Sequence, residues 1–88
     1  MIILDASKMD SRKDAHLYLM EQLSFPDYYG KNLDALYDCL TDLDETTVVF
    51  VDLHRAEGSY CDKVVRVFRE AAEDNPRLHI LNEFPDED

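Results

Sequence analysis

The sequence predicts a small α/β layer domain built on a parallel sheet. Three short runs, Met1 to Leu4, Thr46 to Leu53 and Arg77 to Leu81, have the apolar, β-branched character of strands. The segments between them carry helical periodicity, and strands joined through helices favour right-handed crossovers that leave neighbouring strands parallel. The chain has 88 residues, which suits one domain with one modest core, since a chain of this size buries a little over ~60% of its unfolded surface.

Each element follows from its residues. Met1 to Leu4 is fit for a buried strand, and Asp10 or Ser11 can cap a helix that runs to about Leu23. Ala15, Tyr18, Leu19, Gln22 and Leu23 give that helix its face, with Lys13, Asp14 and Glu21 on other sides. A loop follows in which Pro26 biases Phe25 away from helix and Gly30 offers a positive φ for a turn. Asn32 then caps a second helix whose Leu33, Leu36 and Leu40 form one apolar stripe, with Asp34, Asp38 and Thr41 opposite. Thr46 to Leu53 has no polar break from Val48 to Val51, the pattern of a central strand covered on both faces. His54 to Gly58 is ambiguous between a loop and one helical turn. Ser59 supplies an N-cap for a long helix ending near Asn75-Pro76, with Cys61, Val64, Val65, Phe68, Ala71 and Ala72 as its buried stripe. Arg77 to Leu81 closes the sheet, and the acidic end of the chain is expected to fray.

Nine basic residues against twenty acids give a formal charge of -11. That balance repels phosphate backbones and anionic membranes and attracts basic surfaces, so the partner expected is a cationic protein and not nucleic acid or a membrane. The N-terminus lacks a basic region followed by an apolar core, which predicts a cytoplasmic, non-exported chain. Cys39 and Cys61 are too few for a disulfide framework and read as free thiols on or beside apolar helix faces.

Little points to catalysis or cofactor chemistry. His16, His54 and His79 are scattered through separate elements, no cysteine cluster has zinc spacing, and the two glycines form no phosphate loop. His54-Arg55 at the end of a parallel strand is the one place suited to an active site. Cys39 is a poor nucleophile, since its neighbours Asp38, Leu40 and Asp42 raise a thiol's pKa. The expectation is no enzyme and no cofactor.

The acids are placed more suggestively. Asp34 in the first turn of the second helix is favoured by the dipole, but Asp38 lies mid-helix one turn away and repels it by ~0.2–0.5 kcal/mol when exposed. Glu70, Glu73 and Asp74 gather in the last turns of the final helix, where the dipole disfavours acids. Arg66 to Glu70 and Arg69 to Glu73 are i, i+4 pairs that can offset this, so a solvated, salt-laced face explains the residues as well as a binding face does.

Tyr28-Tyr29-Gly30, Asn32-Leu33-Asp34-Ala35-Leu36, Asp38-Cys39-Leu40-Thr41 and, in the last helix, Val67-Phe68-Arg69-Glu70-Ala71 resemble the corresponding segments of the barstar family, intracellular inhibitors of barnase-type ribonucleases. The resemblance spans nearly the whole chain. It implies a barstar-like domain over residues 1–82, a small three-stranded parallel sheet packed by three to four helices, with 83–88 as an acidic tail.

The resemblance also implies a mechanism, in which loop and second helix plug the active site of a basic microbial ribonuclease and a helical aspartate takes the place of a substrate phosphate. By position Asp38 is that aspartate, Asp34 the acid one turn earlier, Tyr28 the aromatic that stacks in the cleft and Glu70 the acid of the last helix. The implied surface comprises Tyr28, Asn32, Asp34, Tyr37, Asp38, Thr41 and Leu43, with Glu70 and Asp74 extending it. Tyr29 is expected to shape the loop. Tyr37 stands where a tryptophan is typical, Leu43 where another aromatic is, and Asp74 where a longer glutamate is, which bears on partner identity. The chain is expected to be a monomer when free. An alternative is an acidic adaptor or immunity protein for a different basic protein or toxin.

Overall fold

The computed structural model describes residues 1–51 and 60–82. Strands β1 (Ile2–Asp5), β2 (Thr46–Val51) and β3 (Leu78–Asn82) form one parallel sheet in the order β1-β2-β3, with β2 central as its sequence predicts. Ile2 pairs with Val48 and Val48 with Ile80, which fixes the register across all three strands. Helices α1 (Arg12–Leu23) and α2 (Leu33–Thr41) lie between β1 and β2, α3 (Tyr60–Asp74) lies between β2 and β3, and a 3-10 turn, Ala6–Lys8, follows β1. The α/β layer architecture is the one expected. His54 to Gly58, the Ser59 cap, the His54-Arg55 pair, the last residues of the expected strand to Leu53 and the tail 83–88 lie outside the described residues.

Side chains alternate along the strands, and the alternation corrects one expectation. Leu4, Val48, Phe50 and Leu78 are buried on one face of the sheet, whereas Ile3, Val49 and Leu81 form a register row on the other, with Ile3 58% and Leu81 51% exposed. The sheet is therefore covered on one face among the described residues, not on both. β-branched residues fit a pleated half-buried surface as well as a buried one, so a run of them does not reveal how many faces are covered.

The core forms between that covered face and the helices. Leu19 and Ala15 of α1, Leu36 and Leu40 of α2, and Val64, Phe68 and Ala71 of α3 are fully buried, and Phe50 meets Phe68 edge to face with ring centroids 5.1 Å apart. α3 packs against α1, α2 and β3. On α1 the expected face needs one exchange: Gln22 is exposed and His16 is buried in its place.

Candidate functional site

The loop between α1 and α2 begins where α1 ends. Ser24 takes a left-handed conformation at φ 57° and closes the helix through its N–H to the Met20 carbonyl. Phe25 and Tyr29 then turn inward, 8% and 4% exposed, with ring centroids 4.8 Å apart. The Tyr29 N–H donates to the Pro26 carbonyl at 2.9 Å, tightening the turn. Tyr28, between these two anchors, is left 88% exposed.

The turn near Gly30 is built differently from the sequence expectation. Lys31, not Gly30, carries the positive φ of 56°. Gly30 is favoured by proximity, because a Cβ there would sit tightly, 3.2 Å from the Ala35 Cβ and 3.3 Å from Asn32 Nδ2. The loop thus closes onto the first turn of α2, where the Asn32 side chain accepts from the Ala35 N–H at 2.7 Å as an N-cap.

α2 buries Leu36 and Leu40 and presents Asp34 and Asp38 to solvent, with Tyr37, Cys39, Thr41 and Leu43 half-buried along its flanks. The Thr41 hydroxyl donates to the Asp38 carbonyl at 3.0 Å. The C-terminal end of α2 is tied down by Asn75, 3% exposed, whose Nδ2 donates to the Leu40 carbonyl at 3.0 Å and the Leu43 carbonyl at 3.1 Å. Its Oδ1 accepts from the Arg77 N–H at 3.0 Å, so one amide joins α2 to the turn between α3 and β3.

Between loop and α2 lies a cavity of about 370 Å³, with Phe25, Pro26 and Leu43 as apolar wall, Cys39 on its lining, and Tyr28 and Asp38 at its border. Asp42 also lines it, a residue that sequence reasoning weighed only as a neighbour of Cys39. Burial pushes the Cys39 thiol up, and the Asp38 and Asp42 carboxylates push it further. A second groove of about 260 Å³ is lined by Arg12, Asn32, Leu33, Asp34 and Tyr60.

The predicted site residues therefore fall into four groups. Tyr28, Asp38 and Leu43 share the first cavity, Asn32 and Asp34 share the second groove, and Tyr37 and Thr41 lie on α2 outside both linings. Glu70 and Asp74 are exposed on α3 and line neither, although α3 packs against α2. The pairing expected between Arg66 and Glu70 does not form among the described residues, and Arg66 and Glu70 are both exposed.

Behind the loop, His16 is fully buried with both ring nitrogens engaged: Nδ1 lies 2.6 Å from the Tyr29 hydroxyl and Nε2 2.8 Å from the Tyr60 hydroxyl. Burial, and then the Arg12 guanidinium, hold the His16 pKa below its ordinary value. Burial raises Tyr29 and Tyr60, with Arg12 opposing the rise at Tyr60. Sequence reasoning treated His16 as a scattered histidine. Its only local signal is its position beside Ala15 and Leu19 on the apolar side of α1.

A small α/β domain that presents carboxylates and an exposed tyrosine from a capped helix and an anchored loop is organised to meet another macromolecule. The family model described as Barstar (barnase inhibitor) matches residues 1–82. A Bacillus subtilis (strain 168) protein named "Putative ribonuclease inhibitor YrdF" is 45% identical over 78 residues, covering 83% of this chain and 86% of that protein. The chain belongs to the barstar family.

Proposed function

We propose that this protein inhibits a basic microbial ribonuclease by inserting the loop and α2 into its active site, with Asp38 in the place of a substrate phosphate. The observation that carries the proposal is the setting of Asp38: exposed, fixed on a helix tied at both ends by Asn32 and Asn75, and bordering a cavity beside the 88% exposed Tyr28. A carboxylate held this way accepts paired hydrogen bonds from the arginines that otherwise grip phosphate. Inhibition is steric and electrostatic, without catalysis. Asn32, Asp34, Tyr37, Thr41 and Leu43 surround the contact, and Glu70 and Asp74 extend it along α3.

The net charge of -11 steers a cationic partner toward this surface. The protein acts in the cytoplasm as a monomer until it meets its ribonuclease.

Calorimetric titration into a barnase-type ribonuclease, with RNA cleavage followed in low and moderate salt, tests this. Stoichiometric binding that stops cleavage is expected. Asp38→Ala weakens the complex by about 2–5 kcal/mol, the range for truncating one partner of a desolvated charge pair. Asp34→Ala and Glu70→Ala slow association, and the slowing fades as salt rises. Equal affinity for wild type and Asp38→Ala sinks the assignment of Asp38. The charge alone also suits an adaptor or immunity protein for another basic partner, which is the reading left if no ribonuclease binds.

A further inference from the structure

We infer that His16 and Tyr60, although set behind the recognition surface, are positioning residues for the loop, which they hold through a Tyr60–His16–Tyr29 hydrogen-bond chain. The inference rests on the function just proposed for the loop, and it names residues outside the proposed contact surface.

The chain spans three separate parts of the fold. His16 comes from α1, Tyr29 from the loop, and Tyr60 from the first turn of α3. Tyr29 is the residue whose neighbour Tyr28 stands 88% exposed at the cavity, so where Tyr29 sits sets where Tyr28 points.

The donors and acceptors have one arrangement that satisfies every buried group. A neutral imidazole has one N–H and one bare nitrogen, so one tyrosine must donate to it and the other must accept. The Tyr29 hydroxyl is buried, and His16 is its hydrogen-bond partner among the described residues. Its proton therefore goes to Nδ1. The Nε2–H then donates to the Tyr60 hydroxyl, which, being only half-buried, can offer its own proton to solvent. The opposite tautomer leaves the Tyr29 O–H buried without an acceptor, which is the more costly choice.

The same arrangement makes the loop sensitive to one proton. Protonated at Nδ1, His16 would donate to the Tyr29 oxygen across the 2.6 Å contact, so the buried Tyr29 O–H would lose its acceptor and the loop would be held less firmly. Among the described residues the groups facing the ring are Arg12 on its own helix, Tyr29 of the loop and Tyr60 of α3, with Cys39 of α2 beyond Tyr29. None is a carboxylate that would stabilise the added charge. A complex that needs Tyr29 seated excludes the proton, so affinity falls as pH drops toward and through the lowered His16 value of the free fold.

The test compares His16→Gln, His16→Leu, Tyr60→Phe and wild type for affinity toward the same barnase-type ribonuclease at about pH 7.5 and about pH 5.5, so that the ribonuclease's own titration cancels. Glutamine keeps one acceptor and one donor on a side chain that cannot take the proton. His16→Gln should bind within about threefold of wild type at the higher pH and lose less affinity than wild type at the lower. His16→Leu and Tyr60→Phe should bind about tenfold more weakly at the higher pH. Identical pH profiles for wild type and His16→Gln, or full affinity in Tyr60→Phe, overturn the inference. Amide exchange at Tyr29 gives a readout that needs no partner. Its protection should drop in His16→Leu and return in His16→Gln, and unchanged protection in His16→Leu refutes the positioning role even if no ribonuclease binds.

Discussion

Replacing Asn75 with alanine removes three hydrogen bonds at once, and the structure sets the size of the loss. The side chain is 3% exposed, its Nδ2 serves the Leu40 and Leu43 carbonyls at 3.0 and 3.1 Å, and its Oδ1 serves the Arg77 N–H at 3.0 Å. A typical hydrogen bond contributes a net ~0.5–1.5 kcal/mol, and a buried group left without a partner costs about 1–3 kcal/mol. The bond to Leu40 is buried and the other two are partly buried, so the expected loss is about 2–4 kcal/mol. Against a stability of about 4–13 kcal/mol for a chain of this length, that is a large fraction. Urea denaturation followed by far-UV circular dichroism measures it, with the midpoint moving down and the slope unchanged if the native fold is kept. Asn75→Asp is the sharper control, because it keeps the acceptor for Arg77 but turns a carboxylate toward two carbonyls; it should be at least as damaging as alanine. A loss below about 1 kcal/mol in both variants would show that α2 is held by its apolar stripe alone and that the amide tie is incidental.

Other substitutions and conditions separate the remaining claims. His16 has a folded pKa below its ordinary value, so the unfolded chain binds more protons in that window, and stability should fall as pH drops from about 6.5 toward the lowered value. Thermal melts of wild type and His16→Gln between about pH 7.5 and about pH 5.5 check the sign, and a wild type that gains stability on acidification relative to the variant refutes it. Leu4→Ala should cost about 2–5 kcal/mol and Ile3→Thr within ~0.5 kcal/mol, because the first is fully buried and the second is 58% exposed. Equal losses by urea denaturation would mean that the open sheet face is covered in solution. The Cys61 thiol, fully buried and pushed up to about 11, should react with a thiol reagent only as fast as the protein unfolds, whereas half-buried Cys39 reacts first. Labelling followed by mass spectrometry gives the order.

What the residues reveal by themselves is what neighbours in sequence decide. Asn32 as a cap, the Leu36 and Leu40 stripe of α2, and the buried stripe of α3 are legible because capping and helical periodicity act within one or two turns. The exposure of Asp34 and Asp38 follows from the same periodicity. Features that depend on distant partners are not legible in this way. Asn75 looks like a helix stop before Pro76, yet its amide acts on carbonyls 35 and 32 residues away. His16 is polar at a core position, and only the arrival of Tyr29 and Tyr60 makes its burial tolerable. At Gly30 the sequence signals a special backbone but not its reason, which is the approach of α2 and not a positive φ. The sheet face left uncovered among the described residues is hidden for a related reason: the composition of β2 suits either environment.

Backbone restraints, of which the Asn32 cap is legible in the sequence and the Asn75 tie is not, stand directly behind the residues that the sequence singles out. Asp38 and Tyr28 are long or exposed groups with nothing local to fix them, and each freely rotating side chain immobilised on binding costs about 0.5–1.5 kcal/mol of affinity. Backbone restraint reduces that cost at its source. The Asn32 cap fixes where α2 begins, the Asn75 amide fixes where it ends, and the buried Phe25 and Tyr29 rings fix the loop on either side of Tyr28. Among the described residues Asp44 pairs with Arg77 and Glu45 hydrogen-bonds with His79, both away from the acids of α2. Asp34 and Asp38 thus keep their field directed at solvent, at the expense of a small mutual repulsion that an arriving cationic surface would relieve. If that is why they stand together, neutralising Asp34 should raise the stability of the free protein slightly, by up to ~0.5 kcal/mol, while slowing association with a cationic partner. A variant Asp34→Asn that is less stable and associates as fast would show that the pair serves the fold and not the encounter.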